Sequence, residues 1–324
     1  MQTERVPSTR EEIELLFDAI KTWGRWGPED ERGALNYITP ETRRAAAALV
    51  REGVTVSAAL PLAKTPSAEN PTPVMHLMLR AGDLAVDSSA GARMPSHARG
   101  STSTASSADY FAIASHGMAN THLDALSHIF HNGQMYNGFP ASLVTSAGAL
   151  ALSIEAGRDG IVSRGVLLDV PRANGRDWLE PGEAIFPADL ETAEAMSGVR
   201  VESGDILLVR TGRHLRKERI GFWNGRETLA GLHAACLPWL AERQVAVLGC
   251  DGVSDVLPSG VEGVGLPIHL VGIVGLGIHL IDNCDLEALG SVCAERGRWT
   301  FLLTLAPLRL EHGTASPVNP IALF

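Results

Sequence analysis

Ser115–His131, SHGMANTHLDALSHIFH, is the stretch on which the fold and the chemistry of this chain turn. Four of the chain's 11 histidines fall inside it, His116, His122, His128 and His131, with Asp124 among them. Side chains alternate along an extended strand, so His122 and Asp124, two residues apart, project to one face. His116 shares that parity if the strand runs unbroken. His128 stands four residues beyond Asp124 and folds back over the same place if the chain turns helical there. A histidine beside a carboxylate is often only a hydrogen-bonded core pair. Converging imidazole nitrogen and carboxylate oxygen also suit Zn²⁺, Mn²⁺ or Fe²⁺, and a site with open positions can activate water.

A metal needs ligands beyond this segment. Val264–Ile281, VGLPIHLVGIVGLGIHLI, carries no formal charge, and His269 within it and Asp282 just after it are the natural further candidates, with His279 as an alternative. An ionisable group in so apolar a neighbourhood needs a partner. The stretch approaches the length of a membrane span, but it holds Pro267, several glycines and two histidines. Its flanks, Glu262 and Asp282, carry no Lys or Arg, so it is expected to be internal rather than to cross a bilayer.

Outward from these two segments, strands are expected at Val54–Leu60, Val74–Arg80, Gly165–Val170, Asp205–Thr211, Val245–Cys250 and Thr300–Leu305. Helices are expected after Ser8-Thr9, where Glu12 completes a capping box, and after Thr39-Pro40. Others follow at Pro187–Met196, Leu229–Arg243 and Asp285–Arg296. Strands outnumber long helices without alternating strictly with them. This favours a mixed α/β fold with a curved, barrel-like sheet over a doubly wound nucleotide fold. The expected organisation is an N-terminal helical arm, 1–52, packed on a main domain, 53–324. Ser88–Tyr110, rich in Ser, Ala and Gly, is expected to be a long surface loop or lid.

Composition limits the partners. The chain has 324 residues, 45% hydrophobic and 20% charged, enough to bury a large core. Its 27 Lys and Arg against 37 Asp and Glu leave a formal charge of −10, which argues against a nucleic-acid or anionic-membrane surface. A small-molecule substrate is the expected partner. Cys236, Cys250, Cys284 and Cys293 form no C-x-x-C pair, and buried thiols in a reducing cytoplasm are expected rather than disulfides. Gly260–Gly265 lacks the spacing of either phosphate-binding glycine motif, and there is no G-x-S-x-G elbow.

Thr121-His122-Leu123-Asp124 followed by His128 resembles the T-H-x-D-x-x-x-H core of the metal-dependent cyclase-like hydrolases, which include bacterial kynurenine formamidases and isatin hydrolases. WGPEDERGALNYITPE at Trp26, HIFHNGQMYNG at His128, RGVLLDVPR at Arg164, GDILLVRTG at Gly204, GCDGVSDVLPSGVEG at Gly249 and LIDNCDLEAL at Leu280 resemble the longer members. The resemblance runs from about residue 23 to 306. It implies a mixed α/β fold of the swivelling β/β/α type with peripheral helices, in a homodimer or homotetramer, and hydrolysis of an amide, imide or lactone carbonyl by metal-activated water. It makes His122 and Asp124 metal ligands, His128 the proton carrier, and His269 and Asp282 the later ligands.

One departure is visible. The formamidases have a further histidine four residues before the motif's central one, and here that position is Met118. One divalent ion, Mn²⁺ or Zn²⁺, is therefore expected rather than two, with His116 substituting only if the backbone shifts by one strand repeat. The same metal and histidine would also serve cyclisation, dehydration or isomerisation of a carbonyl compound. A non-catalytic small-molecule or metal-binding protein is the third possibility, which turnover on formamides, imides and lactones would exclude.

Overall fold

Alternation along the central strands gives one sheet two apolar faces. Leu207, Val209, Val166, Leu168 and Leu248 enter one core, while Ile206, Leu208, Leu167 and Val247 enter the other, and all are buried. The computed structural model describes residues 6–81 and 106–324. Nine strands form the sheet: β1 (Thr55–Ser57), β4 (His122–Asp124), β5 (Ile161–Asp169), β6 (Ile206–Arg210), β7 (Val247–Cys250), β8 (His279–Asp282), β9 (Thr300–Leu305), β10 (Ala315–Pro317) and β11 (Ile321–Leu323). Their order is β1-β11-β9-β5-β6-β7-β8-β4-β10. The β5-β6-β7-β8 run is parallel and the outer pairings are antiparallel. The result is the mixed α/β, curled half-barrel sheet that the strand-rich pattern predicts.

Two compact units divide the chain, Met1–Pro61 with Ser115–Phe324, and Leu62–Ala114. The second contains an antiparallel hairpin of β2 (Met75–Arg80) and β3 (Ala108–Ala112). Of the expected loop Ser88–Tyr110, residues 88–105 lie outside the described residues, and Ala108–Tyr110 belong to β3.

In the first unit α1 (Arg10–Ile20) starts at Thr9 with the reciprocal Thr9–Glu12 capping box, a device worth about 1 kcal/mol. It buries Ile13 and Phe17, and Glu14 pairs with His131 Nε2 at 2.8 Å. α2 (Pro40–Ala47) starts at Thr39, α3 (Pro187–Ser197) at Pro187, and α4 (Arg213–Ile220) is a helix the polar RHLRKERI pattern did not announce.

One expected helix is much shorter than its apolar spacing predicts. Of Leu229–Arg243 only α5 (Leu237–Glu242) is α-helical, because Gly231–Leu232 pairs in parallel with Ala184–Ile185 and Ala234–Cys236 makes a 3₁₀ turn. A Cβ on Gly231 would lie 2.4 Å from the Asp255 carbonyl oxygen, so tertiary contact overrides the local pattern. α6 (Glu287–Arg296) follows β8. Val264–Ile281 folds as a short helix, Pro267–His269, a π-helical segment, Leu270–Gly275, and the start of β8. Its residues 271–281 are all buried, and among the described residues no helix is long and apolar enough to cross a membrane.

Candidate metal centre

The register of two antiparallel strands assembles the site. Asp282 on β8 lies opposite His122 on β4, and directly opposed residues share a face. Asp124 is two residues along the same face of β4. His279 has the opposite parity from Asp282 and stays out of the cluster. It is buried, and its Nδ1 donates to the Asp124 carbonyl oxygen at 2.9 Å, tying the two strands together.

Asp124 is the centre. Its carboxylate is fully buried, with His116 Nδ1 3.0 Å and His122 Nε2 3.5 Å from Oδ1, and His269 Nε2 3.7 Å from Oδ2. His269 Nε2 is also 3.4 Å from Asp282 Oδ2. Two groups with metal-ligand spacing result, His116–His122–Asp124 and Asp124–His269–Asp282. The structure thus brings together His122, Asp124, His269 and Asp282, and adds His116. The backbone between His116 and His122 is looped rather than a continuous strand, which lets His116 reach the site.

His128 belongs to neither group. Its ring stacks on His116 with centroids 3.9 Å apart and lies 6.3 Å from the ring of His269. His131, in the same run, packs its ring 5.0 Å from Phe17 and serves the α1 contact.

Each histidine of the two groups has an outer partner. His122 Nδ1 donates to the Asn120 carbonyl at 2.8 Å and His269 Nδ1 to Asp255 Oδ2 at 2.6 Å, which leaves both Nε2 atoms facing the centre. His116 is turned the other way, Nε2 towards Thr314 Oγ1 at 3.1 Å. The 117–120 loop is held by Asn283, whose Nδ2 donates to the carbonyls of Gly117 and Asn120, and by Arg213 Nη2, which donates to the Met118 carbonyl at 3.0 Å. Met118 itself points into a small apolar cluster with Leu229 and Val253.

Electrostatics and unmet hydrogen bonding both favour a cation here. Burial alone would raise the Asp124 carboxyl, but the four imidazoles of His116, His122, His128 and His269 hold it below the usual carboxylate range. Burial opposes charge on His269, yet Asp282 and Asp255 hold it well above the usual histidine value. Burial pushes His128 down to about 4, so it is a neutral base at pH 7. Both Asp124 oxygens and Asp282 Oδ1 are buried without a hydrogen bond, the 3.0 Å approach of His116 lacking the alignment of one. A buried carboxylate left so costs several kcal/mol unless a cation completes its environment. This donor set of imidazoles and carboxylates fits a divalent ion.

Sequence reasoning did not find Asp255, Asn283, Arg213 or Thr314. The first three lie in or beside stretches that carry the family resemblance, and a buried acid in GCDGVSD was the available signal.

A family model described as "Putative cyclase" matches residues 83–255, more than half of the chain. A solved structure of a novel cyclase is 32% identical, covering 95% of this chain and 99% of its own, with a TM-score of 0.84. The chain belongs to the cyclase family. Isatin hydrolase A from Ralstonia solanacearum is 19% identical over 88% of this chain and 97% of its own, with a TM-score of 0.55. Isatin hydrolase A from Labrenzia aggregata, bound to benzyl benzoate, is 18% identical over 86% and 94%, with a TM-score of 0.54. At this identity the two isatin hydrolases are alike in fold. No curated protein matches. The cyclase-family chain therefore combines an enzyme-family fold with a His/Asp cluster able to bind a metal, as its central motif implies.

Proposed function

We propose that this cyclase-family protein is a metal-dependent hydrolase that opens an amide, imide or lactone carbonyl of a small molecule. The observation that carries this is the Asp124 carboxylate, fully buried, without hydrogen bonds, and flanked on both sides by imidazole nitrogens. His122, Asp124, His269 and Asp282 would hold one divalent ion, Mn²⁺ or Zn²⁺, which would supply Lewis acidity and the means to acidify a water. His128, neutral and outside both ligand groups, takes a proton from the nucleophile at a ring nitrogen and returns it to the leaving nitrogen or oxygen.

Two carboxylates and full burial make Asp124, His269 and Asp282 the tighter half, whereas the His116 side chain is 34% exposed. One ion per chain should survive exhaustive dialysis, and elemental analysis finding two would overturn that count. Turnover of a panel of formamides, imides and lactones, lost with a chelator and restored with Mn²⁺ or Zn²⁺, tests the activity. Metal bound at full stoichiometry with no turnover across the panel would make the protein a binder instead.

The four cysteines are buried and unpaired, which supports a reducing cytoplasm, and fractionation of the native cells checks it. We also assign the chain to a homodimer or homotetramer. The β2–β3 hairpin exposes Met75, Leu77, Leu79, Tyr110 and Phe111, and two strands alone are barely stable in water. Light scattering that gives a monomer at micromolar concentration would end this assignment.

A further inference from the structure

His269 is the one candidate ligand whose outer nitrogen meets a buried charge. Asp255 is fully buried. Its Oδ1 accepts from the Ile268 amide at 2.7 Å, and its Oδ2 accepts from the His269 amide at 3.2 Å and from His269 Nδ1 at 2.6 Å. The carboxylate is itself fixed in place. The Leu232 amide donates to the Ser254 carbonyl at 2.7 Å and the Val256 amide to the Leu232 carbonyl at 3.2 Å, so the strand at Gly231–Leu232 grips the backbone on both sides of Asp255. Gly231 is what allows that approach, since any Cβ there would meet the Asp255 carbonyl.

We propose that Asp255 is a positioning residue that keeps the proton of His269 on Nδ1 and presents Nε2 as an electron-rich metal ligand between Asp124 and Asp282. The comparison with His122 shows what is particular here. His122 Nδ1 donates to a neutral backbone carbonyl two residues away, which orients the ring but adds little negative charge. His269 donates to a carboxylate 14 residues away, which orients the ring and raises its basicity. The same carboxylate satisfies the first amides of the turn that carries His269, so backbone and ring are set by one group. Asp255 touches no reacting atom and acts only through His269.

This inference rests on the proposal that the cluster binds a metal, and the test separates the two. Zn²⁺ affinity is measured by chelator competition on the wild-type protein and on Asp255→Asn, with thermal unfolding of both metal-free forms. Asp255→Asn keeps the size of the side chain and removes the charge, and it should bind Zn²⁺ about 10- to 100-fold more weakly. An affinity equal to wild type, even with a lowered Tm, shows a merely structural role and overturns the inference. A wild-type protein that binds no Zn²⁺ overturns the metal proposal itself and this inference with it. Should the variant not fold, long-range ¹H–¹⁵N spectra of the Zn²⁺-loaded wild type decide. A proton on Nδ1 of His269 is expected, and a proton on Nε2 overturns the assignment.

Discussion

The two halves of the centre are built differently. On β4, His122 and Asp124 sit two residues apart, and the carbonyl that steers His122 belongs to Asn120, two residues before it. Opposite, His269 and Asp282 are separated by a π-helical segment and a strand, and the acid that steers His269 lies 14 residues upstream. Strand pairing between β4 and β8 closes the gap by setting His122 against Asp282. A half made by strand parity depends on few residues, whereas a half made by chain return depends on everything that holds the return in place.

Asp124 is common to both halves, so its loss should have the largest effect. Asp124→Ala is expected to reduce bound metal to background and abolish turnover, and elemental analysis showing unchanged metal would dissolve the comparison altogether. His128 comes next. His128→Gln should retain most of the metal while kcat falls by about 10²- to 10⁴-fold, the usual contribution of a positioned proton carrier. A variant purified metal-free would move His128 into the ligand set.

The halves are separated by a smaller contrast. His269→Ala, in the buried half, should weaken Zn²⁺ binding more than His116→Ala, whose side chain is partly exposed and whose Nε2 meets the Thr314 hydroxyl rather than a carboxylate. Competition titrations giving the opposite order would make the β4 side the tighter half. The smallest effect is expected at His131, which shares the histidine run but binds Glu14. His131→Asn should leave the metal content unchanged and lower stability by about 1 kcal/mol or less, as read from denaturant unfolding.

Much of the sheet was legible because its strands are short apolar runs bounded by turn residues. Each of the six runs expected from the sequence overlaps a strand, although the one expected at Gly165–Val170 begins earlier, at Ile161. The C-terminal strands Ala315–Pro317 and Ile321–Leu323 are too short for a periodic signal. Leu229–Arg243 has helical spacing over its whole length, yet its first part pairs with Ala184–Ile185 because Gly231 lets the chain come close to Asp255. α4 was missed for the converse reason, since RHLRKERI is polar on nearly every side and buries only Arg213.

From the sequence alone came the period-two placement of His122 and Asp124, the family resemblance around them, and the departure at Met118. These are local properties, written in the spacing of neighbouring residues, and local spacing survives without knowledge of the rest of the chain. Tertiary structure alone decided that His116 reaches Asp124 and that Asp255 stands behind His269. Each of those depends on where a distant segment returns. Strand register, a looped backbone at 117–120 and a close glycine contact set that return, and none of them leaves a periodic trace in the sequence.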